Sequence, residues 1–439
     1  MKLITFLGTG NYQDTNYVWQ PTGETVATKF FPEVVVKLFN PQKTFVMLTN
    51  EAKNHNNWKE LQERLISANV QFEEVDIPSG QSIDEIWQIF NALTKVVEEE
   101  DEVIFDITHA FRSLPTIALL ASAYLKEAKN VKIKNLLYGA YEAGDNPASK
   151  SPVPAFNHSI ESTSVKCSEP GDEIKNNCPI FDLSEFLSIL DWITAAHIFA
   201  QTGNSTELAK ILSDIQGEAY KKGHKNPPKT LNPLAKSMSS LSNALMVIRP
   251  QEITKSADGL KNNLHKLREE LAEELDAHAK PMQLLLEKIS NEYDLSASTL
   301  EEERKIINWY CERHHIPQAL SLAREWLVSL VAHWLNLDPI KQRKPAERAL
   351  GQYSTPDEKK PETEEDKKYL ALLSDKLKQY PKKEALGPLW NKISEARNDV
   401  DHCGKNETPS SAQSVIDKTK GFISELNELP LEIPENDQQ

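Results

Sequence analysis

The segment Arg397-Asn398-Asp399-Val400-Asp401-His402 holds two side chains that together could cut RNA without a metal. The nucleophile would be the RNA's own 2′-hydroxyl, so the protein need supply no covalent group. It must supply a proton acceptor or donor near neutral pH, which a histidine provides. It must also supply a fixed positive charge for a phosphorane-like transition state, which an arginine provides through its bidentate fork. Leu386, Leu389, Trp390 and Ile393 precede the segment at helical spacing, so it reads as a helix ending near Gly404. On that helix Arg397 and His402 stand about 140° apart and flank one edge. Asn398 and His402 share a face. A second copy of the chain could bring another pair opposite. The same residues also fit a solvated helix end, because an Arg and a His at this spacing often occur by chance.

Two more polar segments follow β-rich runs. Gly8-Thr9-Gly10-Asn11-Tyr12 comes directly after KLITFL. Two glycines past a strand let backbone approach a ligand and expose amide groups to phosphate. The spacing is not GxGxxG, and an ordinary strand-end turn explains it equally well. Asp106-Ile107-Thr108-His109-Ala110-Phe111-Arg112-Ser113-Leu114-Pro115 follows EVIF. Here a strand end meets a helix that opens at a proline, which favours an anion. Arg112 suits a phosphate, and Thr108 and His109 suit a ribose or base. The alternative is a well-capped loop in which Asp106 pairs with Arg112.

These segments need a scaffold. Strand patterns at 2–7, 43–49, 70–77, 102–108 and 131–141 alternate with helical patterns at 54–68, 82–100 and 115–128. Strand then helix, repeated, predicts a mostly parallel sheet with helices on both faces, with ligands at the C-terminal strand ends. Residues 143–180 read as a loop-rich insertion or linker, and from 181 the strand signals stop. Helical patterns then run at 181–203, 205–222, 230–248, 255–280, 281–292, 299–312, 316–337, 365–379, 386–402 and 410–427. The stretch 354–368 is charged and reads as a surface loop. The expected organisation is an α/β sensing domain over 1–180, a helical connection over 181–300 and a helical catalytic domain over 301–439.

Composition narrows the choice. The chain has 439 residues and a formal charge of −15. An acidic chain does not coat nucleic acid broadly, so any RNA would bind in a small, local place. Cys167, Cys178, Cys311 and Cys403 form no CxxC pair, which argues against structural zinc. There is no signal-peptide pattern and no apolar run of membrane-spanning length, so a cytoplasmic protein with no membrane partner is expected. His314 and His315 are adjacent and point apart. Trp192, Trp309, Trp326 and Trp334 sit in core-like helical patterns.

FLGTGNY, DITHAFRSLP and PIFDLSEFLSILDWITAAHIFAQTGN, together with the terminal RNDVDH, resemble one family: the CARF–HEPN ribonucleases of type III CRISPR systems. The resemblance covers most of the chain, more thinly over 205–300. It implies a Rossmann-like CARF domain that binds a cyclic oligoadenylate, with cyclic tetra-adenylate the expected form, as allosteric activator. It also implies a HEPN-type bundle, a homodimer, and cleavage of single-stranded RNA with no cofactor required for catalysis. Gly8, Thr9, Gly10, Asn11, Tyr12, Thr108, His109, Ala110 and Arg112 would then line the ligand site. Arg397 and His402 would be catalytic, with Asn398 beside them. Glu325 and Arg324, on the helical pattern 316–335, would support them or form an ordinary ion pair. Ala110 stands where such segments are expected to carry glycine. Two other functions remain compatible with the residues: a non-catalytic nucleotide sensor, and a protein that also degrades its cyclic ligand.

Overall fold

The computed structural model describes residues 1–144 (112 apart), 177–270 (222 and 224–226 apart), 285, 288, 289, 292, 293, 295 and 298–431 (355–362 and 406 apart). It divides into two compact units, Met1–Asp191 and Trp192–Gln439. The division falls inside one helix, Ser184–Thr202.

The first unit is built on an eight-stranded sheet of order β3-β2-β8-β7-β6-β1-β4-β5. Its strands are β1 (Lys2–Leu7), β2 (Thr15–Trp19), β3 (Glu24–Thr28), β4 (Lys43–Leu48), β5 (Phe72–Asp76), β6 (Glu102–Asp106), β7 (Lys132–Gly139) and β8 (Asn177–Asp182). The helices are α1 (Phe31–Phe39), α2 (Asn50–Lys53), α3 (Asn56–Ser67), α4 (Ile83–Lys95), α5 (Leu114–Lys129) and α6 (Ser184–Thr202). β7, β6, β1, β4 and β5 are mutually parallel. Alternate residues of the central strands face opposite cores, as the twofold strand period requires. Ile4, Phe6, Met47, Val103 and Phe105 pack with Ile89, Leu93, Ile117 and Leu125 of α4 and α5. On the other face, Leu3 and Ile104 pack with Val34 and Val35 of α1. Leu7, Val46 and Leu48 pack there with Trp58, Leu61 and Leu65 of α3. The expected α/β architecture, with helices on both faces, is what the chain forms.

Three expectations are corrected. The region up to 180 is not all loop, because Asn177–Asp182 is a strand. It pairs antiparallel with β7 and parallel with β2. The strand signal therefore does not stop at 181. The hairpin of β2 and β3 and the helix α1 fill residues 15–39, where no element was expected. Of the charged stretch 354–368, residues from 364 onward are helical, and 355–362 lie outside the described residues.

The second unit is helical: α7 (Thr206–Lys221), α8 (Leu231–Met246), α9 (Pro250–Glu270), α10 (Leu300–Glu312), α11 (Ile316–Trp334), α12 (Arg343–Ser354), α13 (Glu364–Leu377), α14 (Lys383–Asp401) and α15 (Ala412–Asn427). The expected helix over 255–280 starts earlier, at Pro250, and the described part ends at Glu270. α12 had no sequence signal. One core runs through these described helices. α11 is its axis, with eleven buried residues including Trp326 and Leu327. Among the described residues, no helix is long and apolar enough to cross a membrane.

Gly139, the last residue of β7, is fixed by crowding. A Cβ there would come within 2.5 Å of the Phe31 ring and 2.7 Å of Tyr17. Gly139→Ala should therefore lower the stability of the first unit by about 1–3 kcal/mol, the usual cost of overpacking a filled core. Urea unfolding followed by circular dichroism checks this, and an unchanged transition would show that Phe31 yields freely.

Candidate ligand crevice and the Arg397–His402 helix end

After the β2–β3 hairpin at the far edge, the chain places β4 and β5 on one side of β1 and then β6 on the other. The boundary between β1 and β6 is thus the topological switch point, where open α/β sheets hold ligands beyond their C-terminal strand ends. Both polar segments singled out above sit there.

A buried carboxyl organises the second segment. Asp106 is fully buried at the end of β6. It accepts a hydrogen bond from the Thr5 hydroxyl of β1 at 2.5 Å and from the Thr108 amide at 2.8 Å. Burial pushes its pKa up to about 6, against the opposing pull of these hydrogen bonds. The Thr108 hydroxyl accepts the Gly139 amide at 2.9 Å, so the loop is tied to β7 as well.

The two loops touch. The Tyr12 ring stacks on His109, with centroids 4.0 Å apart. The Tyr12 hydroxyl accepts the Gly8 amide at 2.9 Å. Asn57 of α3 donates to the carbonyls of Gly8 at 3.2 Å and Gly10 at 2.8 Å. His109 Nε2 accepts the Phe31 amide at 3.2 Å, which assigns the ring proton to Nδ1. Thr9, Gly10 and Asn11 are exposed at the lip, while Gly8, Tyr12, Thr108, His109 and Ala110 are partly buried. Arg112 lies outside the described residues. Ala110 donates its amide to the Ile107 carbonyl at 3.1 Å, closing a tight turn. Asn57, Gly139 and the Thr5–Asp106 pair were missed in the sequence, because each acts through a partner more than thirty residues away.

The second candidate lies at the end of α14. His402 is the helix C-cap and is exposed, its amide bonded to the Asn398 carbonyl at 2.9 Å. Cys403 and Gly404 follow with positive φ of 57° and 65°, so the helix stops where expected. Arg397 pairs with Asp401 at 2.8 Å and donates to the Asn398 side chain at 3.4 Å. Asn398 is exposed. Arg324 and Glu325 do not stand free for support. Arg324 pairs with Glu325 at 2.9 Å and with Glu347 at 2.5 Å, and Arg343 grips Glu325 with two nitrogens at 2.7 Å. Arg324 also stacks 4.8 Å from the Trp390 ring. This network clamps α11, α12 and α14 together about two turns before Arg397. Among the described residues, no group of three or more His, Cys, Asp or Glu is placed to hold a metal.

Residues 2–142 match the family model for the CARF domain of the CRISPR system endoribonuclease Csx1. The first unit has a CARF-type fold. Residues 188–297 match a model for the second domain of CRISPR-associated protein MJ1674. The CRISPR-associated protein MJ1674 of Methanocaldococcus jannaschii is 27% identical over 202 residues, which is 42% of this chain and 27% of that protein. The chain therefore spans about a quarter of the length of the curated relative it matches. Its similarity is to CARF-containing, CRISPR-associated proteins.

Burial holds the pKa of His109 down to about 4, and the Phe31 amide fits only a neutral Nε2. The unfolded chain takes up this proton near the ordinary value of about 6.5. Its contribution to stability is therefore present above pH 6.5 and is lost as pH falls towards 4. Nitrogen-15 NMR should show His109 as a neutral Nδ1–H ring throughout pH 5–8. A titration centred near 6.5 would contradict this geometry.

Proposed function

We propose that this protein is a nucleotide-gated, metal-independent endoribonuclease of type III CRISPR antiviral defence. A cyclic oligoadenylate, expected to be cyclic tetra-adenylate, binds the crevice between β1 and β6. The end of α14 then cuts single-stranded RNA. The observation that carries this reading is the meeting of the Gly8–Tyr12 and Ile107–Ala110 loops at the switch point of a CARF-type sheet. There the exposed Thr9–Asn11 backbone suits phosphate, and His109 offers its Nδ1–H to a ribose or base.

The ligand is a symmetric ring, so two crevices should face each other across a twofold axis. A surface suited to that pairing adjoins the crevice. Ile83, Trp87, Leu120 and Tyr124 are each more than half exposed, and Phe90 joins Trp87 and Tyr124 through ring contacts of 5.7 and 5.3 Å. Such an apolar face marks a docking surface. α5 starts directly after the Thr108–His109 loop, so a second copy docked along it would lie next to the first crevice.

In the reaction, His402 accepts the proton of a 2′-hydroxyl, whose oxygen attacks the adjacent phosphorus. The bond from phosphorus to the 5′-oxygen breaks, and the leaving oxygen takes a proton from the protonated His402 of the second copy. The products are a 2′,3′-cyclic phosphate and a 5′-hydroxyl. Arg397, released from Asp401, stabilises the charge gathering on the phosphoryl oxygens, and Asn398 holds the RNA beside it. Arg324 and Glu325 serve by fixing α14 rather than by touching RNA. In the resting arrangement Asp401 occupies Arg397, which also fits a sensor without catalysis.

Variants separate these readings. His402→Ala and Arg397→Ala should each lower the cleavage rate of a fluorogenic RNA by about 10²–10⁴, with cyclic tetra-adenylate affinity unchanged in calorimetry. Leu120→Glu should separate the copies in sedimentation and weaken ligand binding at least tenfold. Full cleavage by both α14 variants would move catalysis elsewhere. A parent chain that binds the ligand but cuts nothing would establish the sensor reading.

A further inference from the structure

The helical unit carries a second place shaped for nucleic acid, away from the end of α14. Between α7 and α8 runs an open groove of about 670 Å³. Lys210 and Lys236 stand on its opposite walls, and serine and threonine hydroxyls fill most of the rest. Among the described residues, no carboxylate lines it. Both lysines are exposed, and among the described residues neither has an ion-pair partner. In a chain of net charge −15, two unpaired cations facing one carboxylate-free groove form a local anion track.

A second cavity adjoins the groove and shares one lining residue with it, Ser242. This cavity, about 350 Å³, is walled by Trp309, Tyr310 and His315. His315 lies nearly parallel to Trp309, 5.8 Å between centroids, and edge-on to Tyr310. Gly203 packs against one edge of Trp309, where a Cβ would come within 2.9 Å of the ring, and the Arg313 guanidinium lies over the ring at 4.5 Å. Trp309 is 5% exposed, and its buried indole N–H has no hydrogen-bond partner among the described residues. Asn204 and Gln318 add amide groups to the lining. The aromatic wall and the nearby amides match the face and edge of a nucleobase. A cationic, hydroxyl-rich groove beside it matches a phosphodiester chain. Stacking platforms joined to a basic track are how proteins hold single strands without reading sequence.

We infer that the adjoining cavities bind single-stranded RNA, with the backbone along Lys210 and Lys236 and one base in the cavity beside His315. This deepens the proposed ribonuclease reading by adding a substrate-holding site, and it rests on that reading for the choice of RNA. It also explains how an acidic protein can hold a polyanion in one place.

The test uses the full-length His402→Ala chain, so binding is read without cutting. Fluorescence anisotropy follows a labelled twelve-residue oligoadenylate RNA across a salt series. The added pair Lys210→Gln and Lys236→Gln should raise Kd at least tenfold and reduce the salt slope by about 1.4, at about 0.7 per lost phosphate contact on a single strand. An oligomer of the same length with abasic residues should bind the parent at least fivefold more weakly. Equal affinity of the double variant and the parent would overturn the inference. So would competition by AMP as strong as the oligomer's, which would make this a mononucleotide site. Failure of the ribonuclease reading looks different: the RNA binds and responds to the lysines, yet the chain with His402 intact does not cut it at saturating cyclic tetra-adenylate.

Discussion

Everything at the crevice depends on one buried carboxyl. Asp106 has no exposure, and two hydrogen bonds hold it, one from the neighbouring strand and one from its own loop. A buried acid without partners would be costly, so the two donors and the loop shape are required together. The Thr5 hydroxyl registers β1 against β6. The Thr108 amide turns the chain out of β6 at a set place, and the Thr108 hydroxyl catches the Gly139 amide of β7. Three adjacent strands are thereby locked at the end where the two candidate loops emerge. His109 then falls under Tyr12, and Tyr12 returns a hydrogen bond to Gly8. The loops are positioned by the sheet rather than by each other alone.

The α14 end is held in a different way. Its orientation is set upstream, where Arg324, Glu325, Arg343 and Glu347 form a closed network stacked on Trp390. Isolated exposed ion pairs contribute little, but a four-member network against an aromatic ring joins three helices in one geometry. In its last turn, Arg397 pairs with the neighbouring Asp401 side chain and donates to Asn398. A base held by a network and a tip held by one exposed ion pair fit the proposed rearrangement of Arg397. A ligand can drive such a change only by binding the active arrangement more tightly than the resting one.

Much of this was legible in the sequence where the signal is local. β1, β4 and β6 are continuous apolar runs because both faces are buried, and the glycine and histidine loops were visible as polar breaks after them. The stop of α14 was legible because Gly404 takes a positive φ. What escaped depends on distant pairing. β8 carries Pro179 and polar flanks, and becomes a strand only because β2 and β7 lie on either side. The β2–β3 hairpin lies at the sheet edge, where half of its residues face water. α12 buries only Ala346, Ala349 and Leu350, too little for a clear apolar stripe, and its charged residues make sense only beside Arg324 and Glu325. Likewise nothing near Asn57 in the sequence marks it as the brace of the Gly8–Gly10 loop.

The central claim is that occupancy of the β1–β6 crevice controls chemistry at the end of α14. Its most direct test is the initial rate of single-stranded RNA cleavage by the purified full-length chain in EDTA, measured across a titration of cyclic tetra-adenylate. The account predicts negligible cutting without ligand and a saturable rise of at least about a hundredfold, for which a differential affinity of about 2.7 kcal/mol between the two states suffices. A rate that is the same at zero and saturating ligand, or that appears only when a divalent metal is supplied, would contradict it.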